Sequence, residues 1–196
     1  MNRENLPADP LAWFRRWHEE AKAALPDTAD IMALATTDEH GPSVRFVHFK
    51  GMYAGELVFY TNYGSRKALQ LAANSAAAVA FHWQRLGRQV RIEGRCSRLE
   101  RHLSERYFAE RDRESQLSSL ASRQSEPLSS FDTLDAEIEA FRFELAGKAI
   151  ACPADWGGMQ LRASRVELWE SHTHRRHRRY EYLRDGDAWS VRLLYP

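Results

Sequence analysis

The run Tyr60-Thr61-Asn62-Tyr63-Gly64-Ser65-Arg66-Lys67 sets a glycine turn between an apolar strand pattern and a helical one. A helix starting there points free N–H groups forward, and its dipole favours an anion. Arg66 and Lys67 add two full charges, so the chemistry on offer is phosphate binding. A surface turn with two solvated bases is the competing reading. Tyr107, Arg111 and Ser115 recur at intervals of four, along one face of a continuous helix. A guanidinium flanked by hydroxyls suits a phosphate monoester. The charged neighbours Arg106, Glu110 and Arg113 leave an exposed, solvated face open.

A third group is His172-Thr-His-Arg-Arg-His-Arg-Arg179. As a strand it sends Arg175, His177 and Arg179 to one side and Arg176 and Arg178 to the other. One face can then line a site while the other meets solvent or acids; a simply solvated basic run is the alternative. No carboxylate or cysteine joins the histidines at ligand spacing, so no metal is expected. The fourth is Arg45-Phe-Val-His-Phe-Lys50. Strict alternation puts Arg45 and Lys50 on opposite faces, so both serve one site only through a bend, a bulge or a second subunit. His48 reads as a base or as a core residue, and Trp83 and Trp169 as stacking platforms or as packing. Nucleophile-elbow, HExxH, dinucleotide and P-loop motifs are absent from the sequence. No acid/base pair stands out either. That pattern suits chemistry carried by a cofactor, with the protein supplying binding and orientation.

The elements that must position these groups are legible. Asp9 caps and Pro10 opens a helix over about 9–25, with Leu11, Phe14, Trp17, Ala21 and Leu25 on its apolar face. Strands follow at 31–36, 43–50, 57–61, 76–83 and 89–99, joined by short turns. A short helix runs over 65–73. A helical insertion spans about 101–146, as helices near 101–123 and 131–145, the second capped by Ser129 or Ser130. The serine-rich residues 118–130 read as a connection between those helices. Strands return at 160–169, 176–183 and 189–194, within a C-terminal block over about 160–196. The expected fold is mainly β with flanking helices (α+β), a single antiparallel, Greek-key-like barrel domain over 1–196.

The 196 residues carry 28 basic against 27 acidic side chains, so any basic cluster is local. That favours a small anionic ligand over nucleic acid. Cys96 and Cys152 have no metal or disulfide spacing. No apolar run reaches the length of a membrane span, and no leader is read at the start, so no membrane partner and a cytoplasmic setting are expected.

In order and spacing the chain resembles the FMN-dependent pyridoxine/pyridoxamine 5′-phosphate oxidase family. The match covers nearly the whole chain. It rests on Arg45–Lys50, Phe59–Lys67, Arg88-Gln89-Val90, Ser122-Arg-Gln-Ser125, Trp156-Gly-Gly158 and Arg175–Arg179. The resemblance implies a split β-barrel homodimer with two FMN sites at the subunit interface. It implies FMN contacts from Arg45, Lys50, Tyr60, Thr61, Arg66, Lys67, Gln89, Gln124, Ser125, Trp169 and Arg179. Substrate phosphate would meet Lys50, Tyr107, Arg111 and Ser115, with Arg175 and His177 as catalytic residues over the substrate ring. The implied reaction oxidises pyridoxamine or pyridoxine 5′-phosphate to pyridoxal 5′-phosphate, reducing O2 to H2O2.

Departures from the family pattern gather around the substrate. They are His48-Phe49 before the lysine, Leu117-Ser-Ser-Leu120 for a common Ile-Gly-Ala-Trp, and Glu170–His174 without the usual glycines. Arg176 and Arg178 stand for a leucine and an acid, and the family's basic, tyrosine-containing N-terminal extension has no evident counterpart. Two alternatives follow: a related FMN oxidase of the phenazine-biosynthesis type, or a non-catalytic FMN or pyridoxal-phosphate binder.

Overall fold

The computed structural model describes residues 6–196. The expectation about a leader falls partly on residues 1–5, outside the described residues. The first helix, α1 (Pro10–Ala24), starts as its sequence dictates: Asp9 accepts from the Leu11 N–H at 2.9 Å, and proline fills the first turn. Leu11, Phe14, Trp17 and Ala21 are buried, and Phe14 packs on Phe49 (5.4 Å between ring centroids) and Phe81 (4.9 Å). This aromatic cluster fastens α1 to the sheet.

Strands β1 (Ile31–Asp38) and β2 (Gly41–His48) form the first hairpin, and β3 (Met52–Tyr53) and β4 (Glu56–Asn62) the second. The second turn holds Ala54 and Gly55 at φ 49° and 81°, the twist a two-residue hairpin needs. The two-residue β3 was too short to show in the sequence. Helix α2 (Arg66–Ala73) leads to β5 (Ala76–Trp83) and β6 (Arg88–Arg98). Three helices follow: α3 (Arg101–Glu110), α4 (Arg113–Ala121) and α5 (Phe131–Glu144). Then come β7 (Trp156–Glu170), β8 (Arg178–Asp185) and β9 (Ala188–Leu194). No helix among the described residues is long and apolar enough to cross a membrane.

All pairings are antiparallel, in the order β2-β1-β5-β6-β7-β4-β3, with β8 and β9 added beside β7. Strand β7 divides one of its edges. Trp156–Leu161 pairs with β4, while Arg165–Glu170 pairs with β8. The other end of the sheet closes on β4, where the Lys50 N–H donates to Val58 O (2.8 Å) and the Val58 N–H to Gly51 O (2.9 Å). The expected split barrel is therefore present. Its interior is filled by the inward residues of each strand, among them Leu34, Phe59, Phe81, Ile92 and Val166, all at 0% exposure.

Four readings need correction. The helix expected over 101–123 breaks at Arg111–Asp112, where Arg111 is extended (φ −72°, ψ 151°) and Asp112 caps α4 through the Ser115 N–H at 2.8 Å. Ser118 and Ser119 lie inside α4, not in a connection. The run 172–177 is not a strand: Thr173–Arg175 is a single 3-10 turn, and His174 and Arg175 sit at φ 55° and 58°. The alternation argument thus holds only from Arg178 onward. Strand β7 also starts four residues before the expected position 160, because Gly157 and Gly158 pair with Thr61 and Tyr60.

One glycine is sterically required. The β6–β7 register shifts between Glu93 and Gly94, and a Cβ at Gly94 would lie 2.0 Å from the Arg162 carbonyl oxygen. Gly94→Ala is expected to cost about 1–3 kcal/mol, read as a lower urea midpoint at unchanged slope. An unchanged midpoint would mean that this backbone contact opens freely.

Candidate functional site

The end of β4 and the start of α2 build the first wall. The Asn62 side chain accepts from the Gly64 N–H at 2.7 Å, which folds the chain from strand to helix. No side chain caps the first turn of α2; the Ser65 hydroxyl faces Thr61 Oγ1 at 3.2 Å. Lys67 points inward. It is 8% exposed, and its ammonium donates to Thr61 Oγ1 and Gln124 Oε1, each at 3.1 Å. Both partners are neutral. Burial, and secondarily the nearby Arg45, pushes the Lys67 pKa down to about 8.

Arg45 is likewise held by neutral groups: Thr36 Oγ1 and Ser43 Oγ at 2.6 Å and Gln70 Oε1 at 3.1 Å. Burial and then Arg66 lower its pKa. Arg45 and Lys67 are therefore neighbouring like charges whose side-chain hydrogen-bond partners are all neutral, while Arg66 is exposed and interacts with Asp38. Such an arrangement is unfavourable in a dry site unless an anionic ligand completes it. Lys50 leaves the regular strand: β2 ends at His48, and Gly51 turns at φ 98° to meet β4. The bend that the Arg45–Lys50 spacing calls for is there.

The α3–α4 break builds the second wall. Tyr107 stacks on Tyr60 (3.9 Å, 10°), and Tyr60 on Trp156 (5.3 Å, 10°). Burial, then the Tyr107 phenol, pushes the Tyr60 pKa up to about 12. Arg111 lies 4.9 Å over the Trp156 ring and donates to Ser119 Oγ at 2.7 Å.

These walls enclose a cavity of about 830 Å³. Of the expected residues, Lys50, Tyr60, Thr61, Lys67, Tyr107, Arg111, Ser115 and Gln124 line it. Tyr107, Arg111 and Ser115 meet there although their helix is broken. Ser125, next to Gln124, is exposed at φ 77°. Trp156, Ser118 and Ser119 also line the cavity and were not singled out as site residues. The serines at 115, 118, 119 and 122 carry a helical spacing that could have revealed them.

Arg45 and Arg66 stand near Lys67 without lining the cavity, while Gln89, Trp169, Arg175, His177 and Arg179 form a second group at the other end of β7. Gln89, Trp169 and Arg179 stand in one cross-strand row. The His177 ring packs 4.6 Å from Trp169, and His177 Nδ1 accepts from the His172 N–H at 3.2 Å. Glu167, 4% exposed, holds Arg179 through both oxygens (2.8 and 3.1 Å) and also pairs with Arg91. Arg175 is exposed. None of this group lines the first cavity. Trp156 and Trp169 are thirteen residues apart on β7, about 40 Å along the strand. The structure thus brings eight of the expected residues together around the cavity and five others together at the far end of β7.

The chain is similar to known proteins along almost its whole length. A family described as pyridoxamine 5′-phosphate oxidase matches residues 18–144. Another, described as the pyridoxine 5′-phosphate oxidase C-terminal dimerisation region, matches 156–196. A pyridoxine/pyridoxamine 5′-phosphate oxidase of Novosphingobium aromaticivorans is 42% identical over 196 residues, covering 98% of this chain and 97% of its own. One of Anaeromyxobacter dehalogenans is 43% identical over 189 residues, 96% of each chain. The structure of PhzG from Burkholderia lata, in complex with tetrahydrophenazine-1-carboxylic acid, superposes with a TM-score of 0.92 at 28% identity, covering 98% of this chain and 95% of that one. A pyridoxamine 5′-phosphate oxidase-related, FMN-binding protein of Nostoc punctiforme shares the fold, with a TM-score of 0.78 at 18% identity over 97% of this chain and 100% of its own. By full-length sequence and by fold, the chain belongs to the FMN-dependent pyridoxine/pyridoxamine 5′-phosphate oxidase family of oxidoreductases.

Proposed function

We propose that this chain oxidises pyridoxamine 5′-phosphate and pyridoxine 5′-phosphate to pyridoxal 5′-phosphate. The observation that carries this reading is one cavity lined by three cationic groups on different elements, Lys50 after β2, Lys67 on α2 and Arg111 at the α3–α4 break, with Lys67 and Arg111 hydrogen-bonded to neutral side chains and the carboxylates Glu110 and Asp112 at the Arg111 end. FMN and the substrate bring one phosphate each. The donor set fits FMN: a buried ammonium, the uncapped first turn of α2, and the neutral acceptors Thr61 and Gln124. In this assignment Arg45, Lys50, Tyr60, Thr61, Arg66, Lys67, Gln124 and Ser125 hold the cofactor from one side. Gln89, Trp169 and Arg179 hold it from the other. Lys50, Tyr107, Arg111 and Ser115 bind the substrate phosphate, and Arg175 and His177 cover the substrate ring.

FMN supplies the two-electron acceptor, and O2 carries those electrons away as hydrogen peroxide. The protein's share is orientation: charge clamps on two phosphates hold the substrate carbon near the acceptor. The half-sites stand at opposite ends of β7, so a second copy of the chain completes each site, in line with the match of residues 156–196 to a dimerisation region. The phenazine-type reading draws support from the likeness to PhzG, while the Tyr107–Arg111–Ser115 pocket favours a phosphorylated substrate. Oxygen uptake with pyridoxine and pyridoxamine phosphates in parallel tests the proposal. Uptake with at least one is expected; FMN bound without uptake on either would remove the B6 assignment.

A further inference from the structure

We infer that Ser119 is a positioning residue for substrate phosphate, acting through Arg111; this rests on the proposed function and adds a part to it. Arg111 caps α3 in an extended conformation, at the break between α3 and α4. Its long side chain has no helical turn to lie along. Three contacts hold it: the Trp156 ring, 4.9 Å from the guanidinium, the Phe108 ring at 5.8 Å, and Ser119 Oγ, 2.7 Å from Nη1. A ring face fixes the plane of a guanidinium but leaves it free to rotate within that plane. The hydrogen bond to Ser119 removes that freedom.

The Ser119 hydroxyl is itself directed. It donates to the Ser115 carbonyl at 2.9 Å, one turn back in α4. Its proton is therefore committed, and its lone pair is turned toward Arg111. The chain of bonds runs from Ser115 O through Ser119 Oγ to Arg111 Nη1. It ties the guanidinium to the same helix that carries the Ser115 hydroxyl. Ser115, Ser119 and Arg111 all line the cavity with Lys50 and Tyr107. Arg111 keeps its other N–H donors for a ligand, because Ser119 takes only one of the five. Rigid donors lose less freedom on binding a phosphate than a mobile side chain does.

Ser119→Ala in the FMN-loaded enzyme tests this. The KM for pyridoxamine 5′-phosphate should rise about tenfold with kcat within about twofold, the size of one lost hydrogen bond to a charged group. Inhibition by inorganic phosphate should weaken by a similar factor, and Ser119→Thr, which keeps the hydroxyl, should restore both. The kcat/KM ratio of phosphorylated over unphosphorylated pyridoxamine should fall with the KM change. Unchanged KM and unchanged phosphate inhibition in Ser119→Ala would overturn the inference. So would an equal loss on both amines, which marks a merely structural role. If the wild type oxidises neither phosphate, the proposed function has failed. Thermal stabilisation by inorganic phosphate, stronger in wild type than in Ser119→Ala, still decides on Ser119; equal stabilisation overturns it.

Discussion

Lys67→Met is expected to produce an apoprotein about as stable as wild type that binds FMN about tenfold to a hundredfold more weakly at pH 7. Lys67 is 8% exposed, and its ammonium bonds only to Thr61 and Gln124. Its pKa lies near 8 against an ordinary 10.5. Below about pH 8 the folded apoprotein holds this charge at a cost, at most about 3 kcal/mol by linkage. Between about 8 and 10.5 the unfolded chain binds the proton and the folded chain does not, so apoprotein stability rises with pH through that window. Methionine removes the penalty but loses two hydrogen bonds from a charged donor, about 1.5 kcal/mol each, so apoprotein stability at pH 7 stays within about 1 kcal/mol of wild type.

A bound phosphate reverses the balance, because an anion beside Lys67 favours the charged form. Binding above pH 8 must then take up a proton, and FMN affinity should fall about tenfold per pH unit there. The phosphate itself is already a dianion in that range. Fluorescence titrations of FMN from pH 6.5 to 9.5 read this directly. Wild type should be nearly flat below about 7.5 and steep above 8, and Lys67→Met flat throughout. A wild-type profile without slope, or a variant that keeps it, would show that Lys67 does not face the phosphate.

The second large effect concerns the two half-sites. One chain carries Lys50→Ala with Arg111→Ala; another carries Arg175→Ala with His177→Ala. Each alone should lose about a hundredfold or more of its turnover, through misplaced substrate. Refolded together in equal amounts, the two should recover about a quarter of wild-type activity. Half of the random dimers are mixed, and each of those holds one site free of substitution. The reason is the length of β7, which separates Trp156 from Trp169 by about 40 Å along the strand. If both half-sites of a working centre came from one chain, every site in a mixed dimer would carry a lesion. No recovery would then be seen.

Much of this organisation was legible because local signals and the fold agree. Asp9-Pro10 starts α1 where capping requires, and Ser130 caps α5 by accepting from the Thr133 N–H at 3.2 Å. The alternation in β1 and β5 marks their buried faces. What escaped depended on tertiary context. The break at Arg111–Asp112 has one local sign, an aspartate three residues before Ser115, inside a run that otherwise reads as continuous helix. The turn at 173–175 puts two non-glycine residues at positive φ, a choice no propensity favours. In the phosphate pockets the residue types were readable, but the division into two half-sites was not. Strand spacing says which face a side chain takes, not how far apart two strand ends stand.

Strand β7 can also be viewed as a measuring rod. Its first residues stand with Tyr60 and Thr61, its last with Gln89 and Arg179, and pairing along its edges locks 156–161 and 165–170, with only the short bulged stretch 162–164 between them. A single deletion inside it would turn each later side chain to the wrong face and shorten the span by about 3 Å. Chains of this lineage can therefore gain or lose residues in the connection between α4 and α5 far more readily than within β7. The length of β7 is the dimension that descent has least freedom to alter.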